Sequence, residues 1–242
     1  MSWLDDFAAI AHAQLGSQER EALWVRGVSD EQIDLFQLGY VNRTLPRGAP
    51  QEFAEWAWKG QRLDDSFVLP LTNVLGQVKG LQFRHVAKET RGYLTYYHER
   101  DESVYFGLGQ AIPTIWETET AFVVEGGFDV FPLQRVFPNT FAALTLGTSE
   151  SLARLIRRFA KQVWLAYDND KDGRRAALEF QQLYRDEHLD PRIITWPRVR
   201  VGTNKYTKDP NELWEVWGDS RFRECLLRQV DPYVNLEKKT HA

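Results

Sequence analysis

The pattern of hydrophobic and polar positions is mixed over the first third of the chain and sharpens from Thr120. Leu4, Phe7, Ala8, Ala11 and Leu15 recur at helical spacing. Ser29 followed by Gln32 is a capping-box pattern, which predicts a short helix from Asp30 to about Gln37, with Gly39 ending it in the left-handed conformation. Two strands, Ser66 to Leu71 and Gln77 to Arg84, flank a turn at Asn73–Gly76. From Lys88 to Gly109 the pattern loosens into loop with short elements, rich in Tyr and charge.

Beyond Thr120, apolar runs alternate with amphipathic ones. Ala121-Phe122-Val123-Val124 reads as a strand that stops at Glu125, with a helix to about Phe137 that accommodates Pro132 in its first turn. Thr140 to Thr145 is a second strand. Ser149 opens a helix with Leu152, Leu155, Ile156 and Phe159 on one face. Gln162 to Tyr167 is a third strand ending at Asp168, and Gly173 to about His188 is a helix buried through Ala177, Phe180 and Tyr184. Arg192 to Trp196 is a fourth strand; a polar loop runs to Asp209, a helix lies near Asn211–Leu227, and the tail from Asn235 is polar. Strands alternating with helices across short connections predict a parallel sheet with right-handed crossovers, covered on both faces. The expected fold class is therefore α/β: a mixed α+β subdomain over 1–118, the parallel sheet over 119–198, and a loop, short helical end and polar tail over 199–242.

Composition changes this picture at few points. A chain of 242 residues that is 43% hydrophobic and 13% aromatic can bury a core, which excludes disorder over most of its length. The single cysteine, Cys225, excludes a disulfide within the chain and a Cys-based zinc ribbon. No run of about 18 apolar residues is present, so no membrane span is expected. The start, Met1 to Phe7, carries acids where a secretory signal carries Lys or Arg, and the expected location is cytoplasmic. With a net charge of −4, any nucleic-acid binding must use local basic faces.

Ligand sites in open parallel sheets form outside the carboxyl ends of the strands. Glu125 falls there after the first strand, with Asp129 one turn on; Asp168 and Asp170 follow the third, and Asp209 lies after the loop beyond the last. Taken singly, an Asp-x-Asp reads as a turn or helix cap, and Glu125 as an acid favoured by a helix dipole. As a set, carboxylates gathered on one rim repel one another unless a cation is bound. An all-oxygen set suits Mg²⁺ or Mn²⁺, and not zinc. Asp168-Asn169-Asp170-Lys171-Asp172-Gly173 through Glu179 also has the spacing of an EF-hand loop, but the preceding Val163-Trp164-Leu165-Ala166-Tyr167 is strand-like where an EF-hand needs a helix.

Four segments in order resemble the Toprim domains of topoisomerases and DnaG-type primases. They are Val123-Val124-Glu125-Gly126-Gly127-Phe128-Asp129-Val130, Leu144-Thr145-Leu146-Gly147-Thr148, Tyr167 to Ala177, and Lys208-Asp209-Pro210-Asn211-Glu212, where Asn211 replaces a second Asp. Arg26 to Ser29 with Phe36 to Tyr40, and Phe67 to Leu71 with Gly76, Gly80 and Arg84, are similar to the upstream part of the primase polymerase region, so the resemblance covers about residues 20 to 215. It implies a DNA primase that makes short RNA primers on single-stranded DNA from ribonucleoside triphosphates, by nucleotidyl transfer with two or more divalent ions. Glu125, Asp168 and Asp170 would be catalytic; Glu125, Asp168, Asp170 and Asp209 would hold metal, with Asp129 behind them. Arg84 is carried over to the nucleic-acid and nucleotide surface.

The family's Lys-Tyr-Leu-Asn-Ser-Pro stretch meets Gly92-Tyr93-Leu94-Thr95-Tyr96-Tyr97, so its Lys is absent at Gly92 and Arg91 or Lys88 would substitute. The zinc-binding and helicase-binding modules have no counterpart here, which makes a replicative helicase or a separate template-recognition protein an expected partner. Lys79, Arg84, His85, Lys88 and Arg91, interleaved with Phe83, Tyr93, Tyr96 and Tyr97, suit single-stranded DNA. Lys205 and Lys208 lie near the acids and can meet nucleotide phosphates. Arg154, Arg157, Arg158 and Lys161 read as a solvated helix face without an obvious acidic partner. A Toprim metal-dependent nuclease, and a single-strand-binding replisome adaptor with weak catalysis, are the alternative readings.

Overall fold

A computed structural model of the chain describes residues 2–42, 49–58, 63, 65–87, 93–97, 104–144, 150–203 and 205–230. Contacts divide the chain into two compact units, Met1–Gln110 and Ala111–Ala242.

In the first unit, α1 (Trp3–Ala13) starts at Ser2, whose hydroxyl accepts from the Asp5 N–H while the Asp5 carboxylate accepts from the Ser2 N–H. Its Leu4, Phe7, Ala8 and Ala11 are buried, the face that the spacing predicts. There follow α2 (Ser17–Val25), α3 (Asp30–Leu35), β1 (Gly39–Val41), α4 (Gln51–Trp58), β2 (Ser66–Thr72), β3 (Val78–His85), β4 (Tyr93–Tyr97) and β5 (Tyr105–Phe106). Described strand pairs here are antiparallel: β3 lies between β4 and β2, and β1 and β5 share the other edge of β2. Phe7 of α1 and Phe53 of α4 pack on Phe83 and Tyr96 of the sheet, with the Phe7 and Phe53 rings edge to face at 5.3 Å.

The capping box at Ser29 and Gln32 is present. The left-handed residue that ends α3 is Gln37, at φ 50°, and not Gly39. The Leu38 N–H bonds the Ile33 carbonyl and the Gln37 N–H the Asp34 carbonyl, which satisfies the last turn. Gly39 serves close approach instead: a Cβ there would lie 2.6 Å from the Ala11 Cβ and 2.8 Å from the Ala11 carbonyl carbon.

The elements that follow are α5 (Leu108–Thr118), β6 (Thr120–Val124), a 3-10 turn over Gly127–Asp129, α6 (Val130–Gln134), β7 (Thr140–Ala142), α7 (Glu150–Ile156), β8 (Gln162–Ala166), α8 (Lys171–Asp186), β9 (Asp190–Ile193), β10 (Arg200–Gly202), β11 (Lys205–Tyr206) and α9 (Pro210–Val230). Of these, α5 straddles the division in sequence. In the second unit β7, β6, β8 and β9 lie side by side in that order, with parallel pairing throughout. The fold is the expected α/β arrangement with a mostly parallel sheet and helices. Among the described residues no helix is long and apolar enough to cross a membrane.

Several boundaries differ from the sequence reading. The fourth strand, β9, starts two residues early and ends at Ile193, overlapping Arg192–Trp196 only at Arg192 and Ile193, and Trp196 is instead buried with its indole N–H on the Tyr167 carbonyl. The last helix breaks at Gly218, whose φ of 70° and ψ of 175° are not helical. The basic stripe is not a face without acids. Arg154 and Arg157 both donate to Glu187, at 3.3 and 2.6 Å, and Lys161 meets Glu119 at 2.7 Å.

The Gly39 contact makes a direct expectation. Gly39→Ala must push α1 off β1, an overpacking cost of about 1–3 kcal/mol. Urea denaturation should show a lower midpoint at unchanged slope, and an unaltered midpoint would mean that α1 does not sit where described.

Candidate metal centre

The parallel register brings the acids together. Val124 is level with Ala166, so Glu125 and Asp168 emerge from adjacent strand ends, where neighbouring strands are about 4.8 Å apart. Glu125 is half-buried, and its Oε2 is buried without a hydrogen-bond partner. Burial raises the Glu125 pKa, and Asp170 and Asp209 add to the rise; the Asp168 N–H and Lys208 oppose it. Asp168 is pushed up to about 8, by burial first and then by Glu125 and Asp209. Asp129 is held well above the usual carboxylate range by burial, Asp209 and Asp168. Burial acts to lower the Lys208 ammonium, but Asp209, Asp168 and Glu212 outweigh it, and its net shift is upward.

Local structure explains why these residues sit where they do. Asp170 is the N-cap of α8: its Oδ1 accepts from the Asp172 and Gly173 N–H groups at 3.0 and 2.8 Å. Asp209 does the same for α9, accepting from the Glu212 N–H at 2.6 Å ahead of Pro210 in the first helical position. The Glu212 carboxylate reaches back to the Lys208 N–H at 3.1 Å. Asp129 accepts from the Gly126 N–H with Oδ2 and from the Asn211 N–H with Oδ1, and so ties the turn after β6 to the start of α9. Gly173 cannot carry a Cβ, which would overlap the Asp168 carbonyl. Leu144, at the end of β7, holds a left-handed φ of 63° and donates its N–H to the Glu125 carbonyl at 3.0 Å.

Glu125, Asp129, Asp168, Asp170, Asp209 and Lys208 are thus electrostatic neighbours in the second unit. Among the described residues, no three His, Cys, Asp or Glu side chains are arranged as a ready ligand group. The buried, unpartnered Glu125 Oε2 and the mutual repulsion of the acids fit a hard divalent cation. The spacing of Asp168 to Glu179 does not build an EF-hand, since β8 stands where its first helix would be.

The predicted nucleic-acid residues divide. Arg84, on β3, stacks its guanidinium 4.7 Å from the ring centre of Tyr93, its cross-strand partner on β4. Lys79 is the extra residue of a bulge in β3. Both lie in the first unit with Tyr93. Lys88, Arg91, Gly92 and the loop Thr145 to Ser149 fall outside the described residues. The sequence reading missed Asn169 as a brace. Its N–H donates to the Lys208 carbonyl at 2.5 Å and its side-chain amide to the Trp196 carbonyl at 2.8 Å, joining the Asp168–Asp170 loop to both ends of the segment before α9. Its place between two of the acids was the available signal.

A carboxylate whose folded pKa exceeds its unfolded value, about 3.9 for Asp, stabilises the fold fully below the unfolded value and loses that contribution as pH rises through the folded one. For Asp168 the loss runs from about pH 4 to beyond its folded value of about 8. Without divalent ions, Asp168→Asn should therefore be more stable than the parent, by a margin that widens from pH 5 to pH 9. Each kcal/mol of that margin raises the midpoint by about 2–4 °C. Thermal melts in chelator at both pH values check this, and a constant or shrinking margin would contradict the crowding.

Residues 122–214 match the Toprim-like family. The DNA primase of Haemophilus influenzae is 30% identical over 254 residues, covering 93% of this chain and 42% of the relative. The Escherichia coli primase catalytic core superposes with a TM-score of 0.71 at 23% identity, covering 98% of this chain and 85% of that one. A DnaG primase catalytic domain bound to single-stranded DNA superposes with a TM-score of 0.72 at 24% identity, covering 93% and 79%. The chain spans about two fifths of the length of the curated relatives it matches. It carries a Toprim-like domain, and its fold is that of the DnaG primase catalytic core.

Proposed function

We propose that this chain is the polymerising core of a DNA primase, a nucleotidyltransferase that joins ribonucleotides on a single-stranded DNA template. The observation that carries the reading is the crowd of carboxylates at the ends of β6 and β8, with one buried oxygen of Glu125 unpartnered. The relatives' names supply the reaction class, since the matched segment spans nearly the whole of this chain.

Glu125, Asp168, Asp170 and Asp209 would hold Mg²⁺ or Mn²⁺, and Asp129 fixes the turn after β6 against α9. Divalent ions bound there would supply the acidity needed at a 3′-hydroxyl and the positive charge needed at the α-phosphate and the leaving pyrophosphate. The protein's own part is positioning and electrostatics. Asp170 and Asp209 each use one oxygen to cap a helix, which locks the carboxylate in place. Lys208 keeps its proton among the acids and offers an ammonium to a phosphate oxygen. In the first unit, the stacked Arg84 and Tyr93 offer a cation and an aromatic face to a DNA strand.

Single-stranded DNA with ribonucleoside triphosphates and Mg²⁺ or Mn²⁺ should yield short oligoribonucleotides, and chelation should abolish them. Glu125→Gln and Asp168→Asn should each lower the rate at least about a hundredfold while single-strand binding persists. No product from the parent chain, or full rates in both variants, would defeat the reading. Plasmid nicking without synthesis would point to the nuclease.

A further inference from the structure

β10 and β11 form an antiparallel ribbon that stands apart from the main sheet, and every described residue of it is exposed. An element with no apolar face to bury is not there for packing. From Pro191 to Lys208 the chain has five cations, Arg192, Arg198, Arg200, Lys205 and Lys208, and no acid, although the whole chain is net negative. Among the described residues, Arg198, Arg200 and Lys205 form no ion pair.

The pairing sorts these cations by face. Arg200 is level with Tyr206, and the Thr207 N–H bond to the Val199 carbonyl at 2.9 Å continues the register to the root, which sets Arg198 across from Lys208. Side chains alternate between faces along each strand, so Arg200, Arg198, Tyr206 and Lys208 share one face. The guanidinium of Arg198 lies 4.7 Å from the ring centre of Tyr206, a stack that orients its N–H donors. The Arg200 Nε donates to the Gly202 carbonyl at 3.1 Å, and the Val199 N–H to the Thr207 hydroxyl at 3.1 Å. Asn169 bonds the carbonyls of Trp196 and Lys208 at the root, so the base of the ribbon is hydrogen-bonded to the loop that carries Asp168 and Asp170.

We infer that this ribbon is a phosphate clamp: the face of Arg198, Arg200 and Tyr206 holds the phosphodiester backbone of the nucleic-acid strand at the carboxylate site. A row of cations leading down to Lys208 presents a track to a polymer, with Tyr206, 41% exposed, available to a base or sugar. This rests on the polymerase reading for the identity of the strand, but the contact itself needs only a polyanion.

The test is fluorescence anisotropy of a labelled single-stranded DNA oligonucleotide with the full chain over a series of salt concentrations. The parent is compared with Arg198→Ala/Arg200→Ala, with Arg198→Lys/Arg200→Lys, and with Arg185→Ala/Arg223→Ala, which removes equal charge from α8 and α9. Two lost phosphate contacts should lower the slope of log affinity against log salt by about 1.4 on a single strand and weaken binding about tenfold at low salt. The lysine pair should keep most of the slope, and the helix pair should match the parent. Circular dichroism should show all variants folded. Unchanged affinity and slope in the alanine pair, while the parent still makes primers, would overturn the clamp and leave the polymerase reading intact. A lowered slope in the alanine pair, with a parent that makes no primers, would do the reverse. Weakened binding of a magnesium–ribonucleoside triphosphate with unchanged oligonucleotide binding would also overturn the clamp, assigning these cations to the nucleotide.

Discussion

Like charges held close together are the constraint on which the second unit turns. Burial raises the pKa of Glu125, Asp129 and Asp168, the charge of Asp209 adds to the rise at all three, and Lys208 only partly offsets it at Glu125 and Asp168. The arrangement persists because three of the acids, Asp129, Asp170 and Asp209, are also bound into the backbone of a loop or helix start. Asp170 and Asp209 cap helices, and Asp129 bridges two turns. The cost of the crowd is thus spread over bonds that the fold needs anyway. The same bonds remove the freedom that would let a carboxylate swing away to water.

Much of this was legible in the chain itself. β6 and β8 are short runs, apolar after their first residue, that each stop near an acid, and a parallel sheet places such stops on one edge. The capping box at Ser29 and the buried stripe of Ala177, Phe180 and Tyr184 on α8 appear as read. Other features were hidden for identifiable reasons. α5 contains Pro113, which argues against a helix in any local reading, yet Ala111 and Ile115 bury its face. Gly39 carries a strong local signal for a left-handed turn, but its absence of Cβ answers to Ala11, a contact between residues far apart in sequence. Arg154 has a local acid partner in Glu150 one turn back, but Glu187, which Arg154 and Arg157 share, lies some 30 residues on, where no helix-face pattern reveals it.

The two ways of reading an acid are not exclusive. Asp170 is an ordinary N-cap by every local criterion, and it also bears on the charge of Glu125. Asp209, ahead of Pro210 and followed three residues later by Glu212, is equally a helix-start signature. Capping consumes one oxygen of each. What separates a cap from a candidate ligand is therefore not the cap itself but whether other carboxylates surround it. That is a property of the sheet order, which a sequence discloses only through the alternation of strands and helices.

A chain with a net charge of −4 and a cluster of acids faces an electrostatic problem in holding any polyanion there. At physiological ionic strength a charge is screened beyond about 8 Å, so remote cations on α8 or α9 cannot compensate. Only cations built next to the acids can, and they must be kept from pairing with those acids. Lys208 shows the limit: it lies 3.6 Å from the Asp209 carboxylate and its charge is partly spent on it. An exposed ribbon rooted at the same loop solves both halves of the problem. Arg198 stacks on Tyr206 of the ribbon and Arg200 opens β10, while the Asn169 bonds fix its root to the loop between Asp168 and Asp170. The separation of anionic floor and cationic rim is then set by backbone hydrogen bonds, which salt does not screen as it screens exposed charge.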